Sequence, residues 1–479
     1  MQQHYLLYLV YIYTCIDVIA AHYIGKGIEM WLVLSLLFFL LPLNVSSVRD
    51  ISTTKTCFQE FSDEKYQFNS SSVYLTLYHP RSLCSPAPLP DLPFSTILVH
   101  DNSRVTFFEA RLSKNAATHP GSLNQELATI PLNPGTSVGT ANYVTRIGLG
   151  TPSTSYVMVV DTGSSLCWLQ CLPCSVSCHK QAGPIFDPEA SSTYRRSSCT
   201  TSECSALESA TLNPSACSRS NSCIYEASYG DGSFSVGYLS RDTLSFGRSS
   251  FPDFIFGCGQ DNEGLFGRTA GIIGLARNRL SLLYQLAPSL GRTFSYCLPS
   301  TSSSGYLSIG STKAGQYSYT PMVSNSLDAS LYFLRLSSIS VNGQPISVSS
   351  ASYVSLPTII DSGTVITRLP SAVYSALSKA VVAAMAGAPR APAYSILDTC
   401  FKGSSSTLKV AAVSVTFQGG ATINLSANNV LIDVTSSTTC LAFAPANSVA
   451  ILGNTQQQSF SVLYDVDNSR IGFATGGCQ

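Results

Sequence analysis

Two short stretches of the chain are near copies of each other. Val159-Val160-Asp161-Thr162-Gly163-Ser164 is matched by Ile359-Ile360-Asp361-Ser362-Gly363-Thr364. In each, a β-branched pair runs into an aspartate, a hydroxyl residue, a glycine and a second hydroxyl residue. Downstream lie an apolar pair and a glycine: Ile272-Ile273-Gly274 after the first, Ile451-Leu452-Gly453 after the second. A single Asp-x-Gly is a common turn signal and says little. Two copies with matching partners imply a duplicated unit and two lobes. If the lobes face each other about a pseudo-twofold axis, Asp161 and Asp361 meet. Two carboxylates in contact do not both ionise readily, so they share a proton. One is then a base and the other an acid at the same pH. A water between them loses a proton while a peptide carbonyl oxygen gains one, which is hydrolysis without histidine, serine or metal.

Such aspartates must be delivered by strands held from behind. Tyr156 to Val160 is a continuous apolar run, as expected of a buried strand, and Asn142 to Gly150 alternates. Gly163 and Gly363 let the chain turn tightly and bring N–H groups to the carboxylate. Ser164 and Thr364 offer hydroxyl donors. Asp231-Gly232, between Cys223–Tyr229 and Phe234–Leu239, reads as a β-hairpin turn. Helical patterns are few: Ser281–Leu286, Ser371–Ala386, and Val105–Lys114, where Phe107, Phe108 and Leu112 fall near one face.

Composition narrows the field. The 479 residues carry 27 Lys+Arg and 27 Asp+Glu, and only 11% are charged. That excludes a basic nucleic-acid clamp, an acidic tail and a charge-extended disordered chain. With 45% hydrophobic residues, 33 Gly and 24 Pro, the chain suits large cores built from short strands and turns. Beyond residue 120 the only histidine is His179, so a Ser-His or Cys-His nucleophile there would depend on it. HExxH is absent. No metal and no cofactor are expected.

Of 16 cysteines, eight fall between Cys167 and Cys223. Cys171-x2-Cys174-x3-Cys178 fits either a metal cluster or a disulfide knot. The secretory look of the N-terminus favours the knot and makes His179 a loop residue. Trp31–Leu43 is uncharged and shorter than the about 20 residues of a membrane span, and suits the apolar core of a signal peptide. The expected division is an N-terminal extension over 1–29, a signal peptide over 30–48 and a prosegment over 49–138. A membrane anchor is the competing reading of the first part, and a small independent domain that of the third. Asn69-Ser-Ser and Asn424-Leu-Ser are glycosylation sequons.

VVDTGSS, IIDSGT, the Cys-rich insert, the YGDGS hairpin, GCGQDNEGLFG, ILGNTQQQ and the closing Gly472-Phe473…Cys478 together resemble a pepsin-family aspartic endopeptidase. The likeness runs over about residues 139–479. It is greatest to the plant nepenthesin-type subgroup, in the branch that includes the chloroplast-nucleoid-associated protease. The resemblance implies an all-β, bilobal fold of two pseudo-symmetric β-barrel lobes, 139–328 and 329–479, with the active site in the cleft between them. It implies Asp161 and Asp361 as the catalytic pair, with Ser164 and Thr364 as their outer hydrogen-bond donors. Thr162 and Ser362 would tie the two active loops together beside Gly163 and Gly363. Tyr229 would ride a mobile flap with Gly230, Asp231 and Gly232, supported by Trp168.

The insert 167–223 matches a disulfide-stapled feature of that subgroup. Setting Cys167 aside, Cys171, Cys174, Cys178, Cys199, Cys204, Cys217, Cys223, Cys258, Cys297, Cys400, Cys440 and Cys478 form bridges, with Cys400–Cys440 resembling the second-lobe bridge of the family. Cys167 is then either a small buried residue or a redox-sensitive thiol. The expected protein is a monomeric acid protease made as a zymogen, acting on proteins and peptides. It would be sent through the secretory pathway to the extracellular space (apoplast) or vacuole, with a plastid as a further alternative. No stable membrane association is expected after signal removal. A nucleic-acid partner has only the nucleoid resemblance behind it, against a neutral chain without a Lys/Arg cluster. The alternative function is a catalytically silent binding protein resembling the xylanase inhibitors. The intact carboxylates and hydroxyls favour the enzyme.

Overall fold

The computed structural model describes residues 72–88, 93–117, 142–264, 266–310 and 317–478. The N-terminal extension, the signal peptide and Asn69 lie outside them. The sequence repeat becomes a repeat of strand pairing. Strand Thr154–Asp161 runs parallel to Gly271–Gly274, with Ile272 opposite Val159 and Gly274 opposite Asp161. Trp168–Gln170 flanks Gly271–Gly274 antiparallel on the other side. In the second copy, Thr358–Ile360 runs parallel to Ala450–Leu452, with Thr367–Pro370 as the antiparallel neighbour. Tyr156 to Asp161 are buried without a break, which explains a strand with no polar alternation. At Gly271 a Cβ would lie 1.9 Å from the Trp168 carbonyl oxygen, so this crossing of strands requires glycine.

These units seed two β lobes. The first is a nine-stranded sheet in which Val144–Leu149 pairs with both Thr154–Asp161 and Phe234–Phe246, curling the sheet on itself. The second holds a five-stranded and two four-stranded sheets. A six-stranded antiparallel sheet joins distant parts of the chain, in the order Ser72–Leu77, Gly305–Gly310, Thr293–Cys297, Phe460–Asp465, Arg470–Thr475, Ser318–Pro321. Phe294 and Tyr464 stack there at 4.3 Å. The all-β, bilobal architecture is the one the sequence implied.

Three helices matter for the site: α1 (Phe94–Ala117), α2 (Leu282–Leu290) and α3 (Ser371–Ala384). The last two fall close to their sequence signals, and Ser281 caps α2 by accepting from Tyr284 N. Helix α1 is much longer than the expected 105–114. Its buried face uses Val105, Phe108 and Leu112, with Phe107 only partly buried at the edge. Those three pack on Leu331, Phe333, Ile359, Val449 and Ile451. One end of α1 packs Phe94, Ile97 and Leu98 on Val365, Ile366, Leu397 and Ala442. Each such side chain, fully buried, contributes about 1.5–3 kcal/mol.

Disulfides join Cys171–Cys258, Cys174–Cys178, Cys199–Cys217, Cys204–Cys223, Cys297–Cys478 and Cys400–Cys440. Cys171, Cys174 and Cys178 are thus bridge partners, which removes the thiolates a metal cluster needs. Asn424 is exposed on Thr422–Leu425. Among the described residues, no helix is long and apolar enough to cross a membrane.

Candidate active site

Asp161 and Asp361 are both buried, each just beyond an apolar strand run, and their loops are tied to each other. Ser362 N donates to Thr162 Oγ1 at 2.9 Å, and Thr162 N donates to Ser362 Oγ at 3.2 Å. This reciprocal pair fixes the two turns face to face. Asp161 Oδ1 accepts from Gly163 N at 3.0 Å, and Oδ2 accepts from the Ser164 hydroxyl. Asp361 Oδ2 accepts from Thr364 Oγ1 at 2.7 Å, and Oδ1 from Thr162 Oγ1 at 3.3 Å. A Cβ at Gly163 would stand 2.6 Å from Arg104 Nη2, 2.8 Å from Phe108 Cζ and 3.0 Å from Asp361 Oδ1, so glycine makes room here for both α1 and the opposite carboxylate.

The loops are braced from behind. Gln457 Nε2 donates to the carbonyl oxygens of Asp361 and Leu452 at 3.1 and 2.8 Å, and Asn454 Nδ2 to that of Ser362 at 3.0 Å. ILGNTQQQ is therefore the buttress of the second loop. On the first, Leu275 N donates to Asp161 O and Ala276 N to Ser164 O.

The two carboxylates share one cation. Arg104 Nη2, from the middle of α1, lies 2.6 Å from Asp161 Oδ1 and 2.8 Å from Asp361 Oδ1. Its Nε donates to Asp361 Oδ2 at 2.7 Å and its Nη1 to Asp161 Oδ2 at 3.3 Å. A planar fork with several donors fits a pair of carboxylates as a point charge does not. Burial alone would raise the pKa of Asp361, but the Arg104 guanidinium, the Thr364 hydroxyl and the Gly363 N–H outweigh it and hold the carboxyl below its ordinary value. Burial opposes the charge on Arg104 too, and the two aspartates overcome it, raising its pKa well above normal.

Two more charged residues anchor the helix. Arg111 bonds Asp328, donates to Ser330 Oγ at 2.6 Å and reaches Gly163 O at 3.3 Å. Asp101 accepts from Val365 N and Ile366 N and pairs with Arg368 Nη2 at 3.0 Å.

The expected flap is a hairpin, Cys223–Ser228 against Phe234–Phe246, with Ser228 opposite Phe234. At its tip Gly232 has φ +82°, a left-handed value that favours glycine, and Asp231 Oδ1 accepts from Ser233 N at 2.9 Å. Trp168 Nε1 donates to the Tyr229 hydroxyl at 2.7 Å, and Phe266 packs edge-on against both rings. Burial pushes the Tyr229 phenol up, against the Trp168 hydrogen bond. Gly230 lies against α1, where a Cβ would stand 2.3 Å from Phe107 Cβ. Tyr229, Asp231, Asp161, Arg104 and Asp101 line one cavity.

All the residues singled out from the sequence as active-loop or flap residues thus converge on this cleft. Sequence reasoning missed Arg104, Asp101, Arg111, Arg368 and Phe266. For the three on α1 the available signal was charged residues interrupting an amphipathic stretch. Cys167 is free and buried, its Sγ 3.7 Å from Gly274 O, and burial pushes the thiol up to about 12. That is the environment of a protonated core residue rather than a reactive thiolate. His179 Nε2 lies 2.8 Å from Thr269 O.

Two family profiles cover most of the two lobes: "Xylanase inhibitor N-terminal" over residues 143–311 and "Xylanase inhibitor C-terminal" over residues 331–475. Aspartyl protease family protein 2 of Arabidopsis thaliana is 39% identical, over 88% of this chain and 88% of that protein. Aspartic proteinase nepenthesin-2 of Nepenthes gracilis is 36% identical, over 71% of this chain and 78% of the relative. In fold, the crystal structure of edgp superposes with a TM-score of 0.59 at 20% identity, covering 86% of this chain and 96% of that one. Soybean basic 7S globulin gives 0.56 at 21% identity, covering 70% and 92%. The chain belongs to the pepsin-like aspartic protease family and is a hydrolase of the aspartic endopeptidase class.

Proposed function

We propose that this endopeptidase is made as an acid-activated zymogen, with residues 49–138 as prosegment and α1 as the plug between catalytic lobes 139–328 and 329–479. The observation that carries this reading is Arg104: one guanidinium, from a segment ahead of both lobes, donates to both aspartates at once. No peptide carbonyl reaches the carboxylates while it is there. Once α1 leaves, Asp161 and Asp361 share one proton around a water. The ionised member takes a proton from the water, whose oxygen attacks the peptide carbonyl carbon. The protonated member gives its proton to the carbonyl oxygen. The tetrahedral intermediate then collapses as the C–N bond breaks: the carboxyl that took the water's proton gives it to the leaving amine nitrogen, and a hydroxyl of the intermediate gives its proton to the other carboxylate as the product acid forms, so the dyad again holds one proton. Acidic pH keeps the pair singly protonated. Ser164 and Thr364 hold the outer oxygens, and Tyr229, steadied by Trp168, closes over an extended peptide.

The disulfides fit an oxidising compartment, reached by secretion to the apoplast or vacuole. The enzyme would act there as a monomer on proteins and peptides. A silent binding protein has the xylanase-inhibitor profiles in its favour. The intact carboxylates with their hydroxyl donors favour catalysis.

Arg104→Ala in the full chain tests the plug. It leaves two carboxylates buried without their cation and weakens docking of α1 by about 3–5 kcal/mol. Peptide cleavage and self-processing should then begin at higher pH than in wild type. An unchanged pH threshold would refute the plug.

A further inference from the structure

We propose that Arg368 and the N–H groups of Val365 and Ile366 form a carboxyl-recognising subsite of the mature cleft, which selects substrates with an aspartate or glutamate side chain at one fixed position near the cut. Resting on the zymogen reading, this subsite is filled by Asp101 only until the prosegment departs.

The carboxyl of Asp101 is buried, accepts from two backbone N–H groups and is paired with a guanidinium. It accepts from Val365 N and from Ile366 N, the latter at 3.3 Å, and Arg368 Nη2 lies 3.0 Å from Oδ2. One N–H donor on each oxygen, with a guanidinium paired beside Oδ2, asks for a carboxyl. An amide offers one acceptor oxygen and turns its own N–H groups toward donors. Burial raises the pKa of Asp101 while Arg368 and the two N–H groups lower it.

Place in the fold assigns the subsite to the cleft. In the duplicated strand pattern Trp168 lies opposite Ile272, and Arg368 lies opposite Ile451. Arg368 is thus the second-lobe counterpart of the tryptophan that supports Tyr229. The first lobe puts an aromatic support at this corner and the second puts a cation there. The Arg368 side chain is 3% exposed and its Nη1 donates to Ile366 O at 3.2 Å. Among the described residues, the ion pair it makes is to Asp101. Departure of α1 leaves Arg368 and two N–H groups without their acceptor, a state that an arriving carboxyl relieves.

Distance sets the register. Asp101 and Arg104 are three apart on one helix, so their Cβ atoms are about 5–6 Å apart. An extended peptide advances about 3.3 Å per residue. The selected residue therefore lies within about three positions of the scissile bond.

The test uses full-length protein allowed to process itself in acid. Matched peptides differ only by Glu or Gln, placed in turn at each of the three positions on either side of the cut. One position should favour Glu by about 10- to 100-fold in kcat/KM, from the cost of leaving buried donors unpaired. The Glu:Gln ratio should fall toward one in Arg368→Gln. No preference at any position in the wild type, or a preference that survives Arg368→Gln, overturns the subsite. A synthetic peptide of residues 94–117 added to mature enzyme gives a second reading that needs no enzyme variant. Its Asp101→Asn form should inhibit about 10-fold more weakly or worse. Loss of inhibition with Arg104→Ala but none with Asp101→Asn would keep the plug and overturn the subsite.

Discussion

Each aspartate holds its geometry through very few donors, so single hydroxyls matter. Thr364 Oγ1 is 2.7 Å from Asp361 Oδ2, inside a core where no bulk water replaces it. Hydrogen bonds to a charged group contribute about 1.5–3 kcal/mol. Thr364→Ala should lower kcat/KM by about tenfold or more. Removing a donor to the ionised form also raises the Asp361 pKa, so the acid limb of the pH–rate profile should move to higher pH. A variant with an unmoved acid limb would separate Thr364 from the dyad. Asp161, Asp361 and their hydroxyl neighbours were legible in the sequence because the same turn chemistry occurs twice. Arg104 was not. Nothing local distinguishes it from Arg111, and its role appears only when a helix crosses two strands far away in the chain.

At the scale of elements, α1 is held by apolar faces at both ends and by charges between them. Phe108 is 1% exposed and packs beneath Arg104, whose guanidinium carbon is 5.0 Å from its ring centroid. Phe108→Ala removes that contact and opens a void, a loss of about 3–5 kcal/mol. The effect belongs to docking, so the full chain should process itself at higher pH while the mature enzyme, which has shed α1, keeps its kcat. A change in kcat of the processed enzyme would place Phe108 elsewhere. The sequence showed only the C-terminal half of α1. His100 to Arg104 break the apolar period with groups that a solvent-facing reading takes as surface, whereas here Asp101 and Arg104 meet buried partners. The hairpin, α2 and α3 were legible because their signals are local: an Asp-Gly turn, a Ser cap and an apolar period. The disulfide pairs were not, apart from Cys400–Cys440, since Cys171–Cys258 spans 87 residues and closes only through the sheet.

Over the whole molecule, pH couples the cleft to α1. With α1 docked, Asp361 is held below its ordinary pKa, against burial, chiefly by Arg104. A depressed pKa means that this contribution to docking is full above the ordinary carboxylate value of about 4 and is lost as pH falls through the depressed one. Asp101 works in the opposite sense: burial raises it, so its contribution fades as pH rises. The Asp361 side, strengthened by the shared cation, should dominate release. Short-time hydrogen exchange should therefore show protection of Phe94–Ala117 falling as the pH drops below about 4. Protection independent of pH in that range would rule out the dyad as the acid sensor.

The pairing of Asp161 with Asp361 is the claim beneath all of this, and digestion of a peptide library at acidic pH addresses it most directly. Wild type, Asp161→Asn and Asp361→Asn would be compared at equal concentration, with thermal melts to show that all three are folded. Wild type should cut, and each variant should lose about 10²–10⁴-fold in rate or more, as expected when an acid–base partner is removed. A folded variant that still cuts at the wild-type rate would contradict the account.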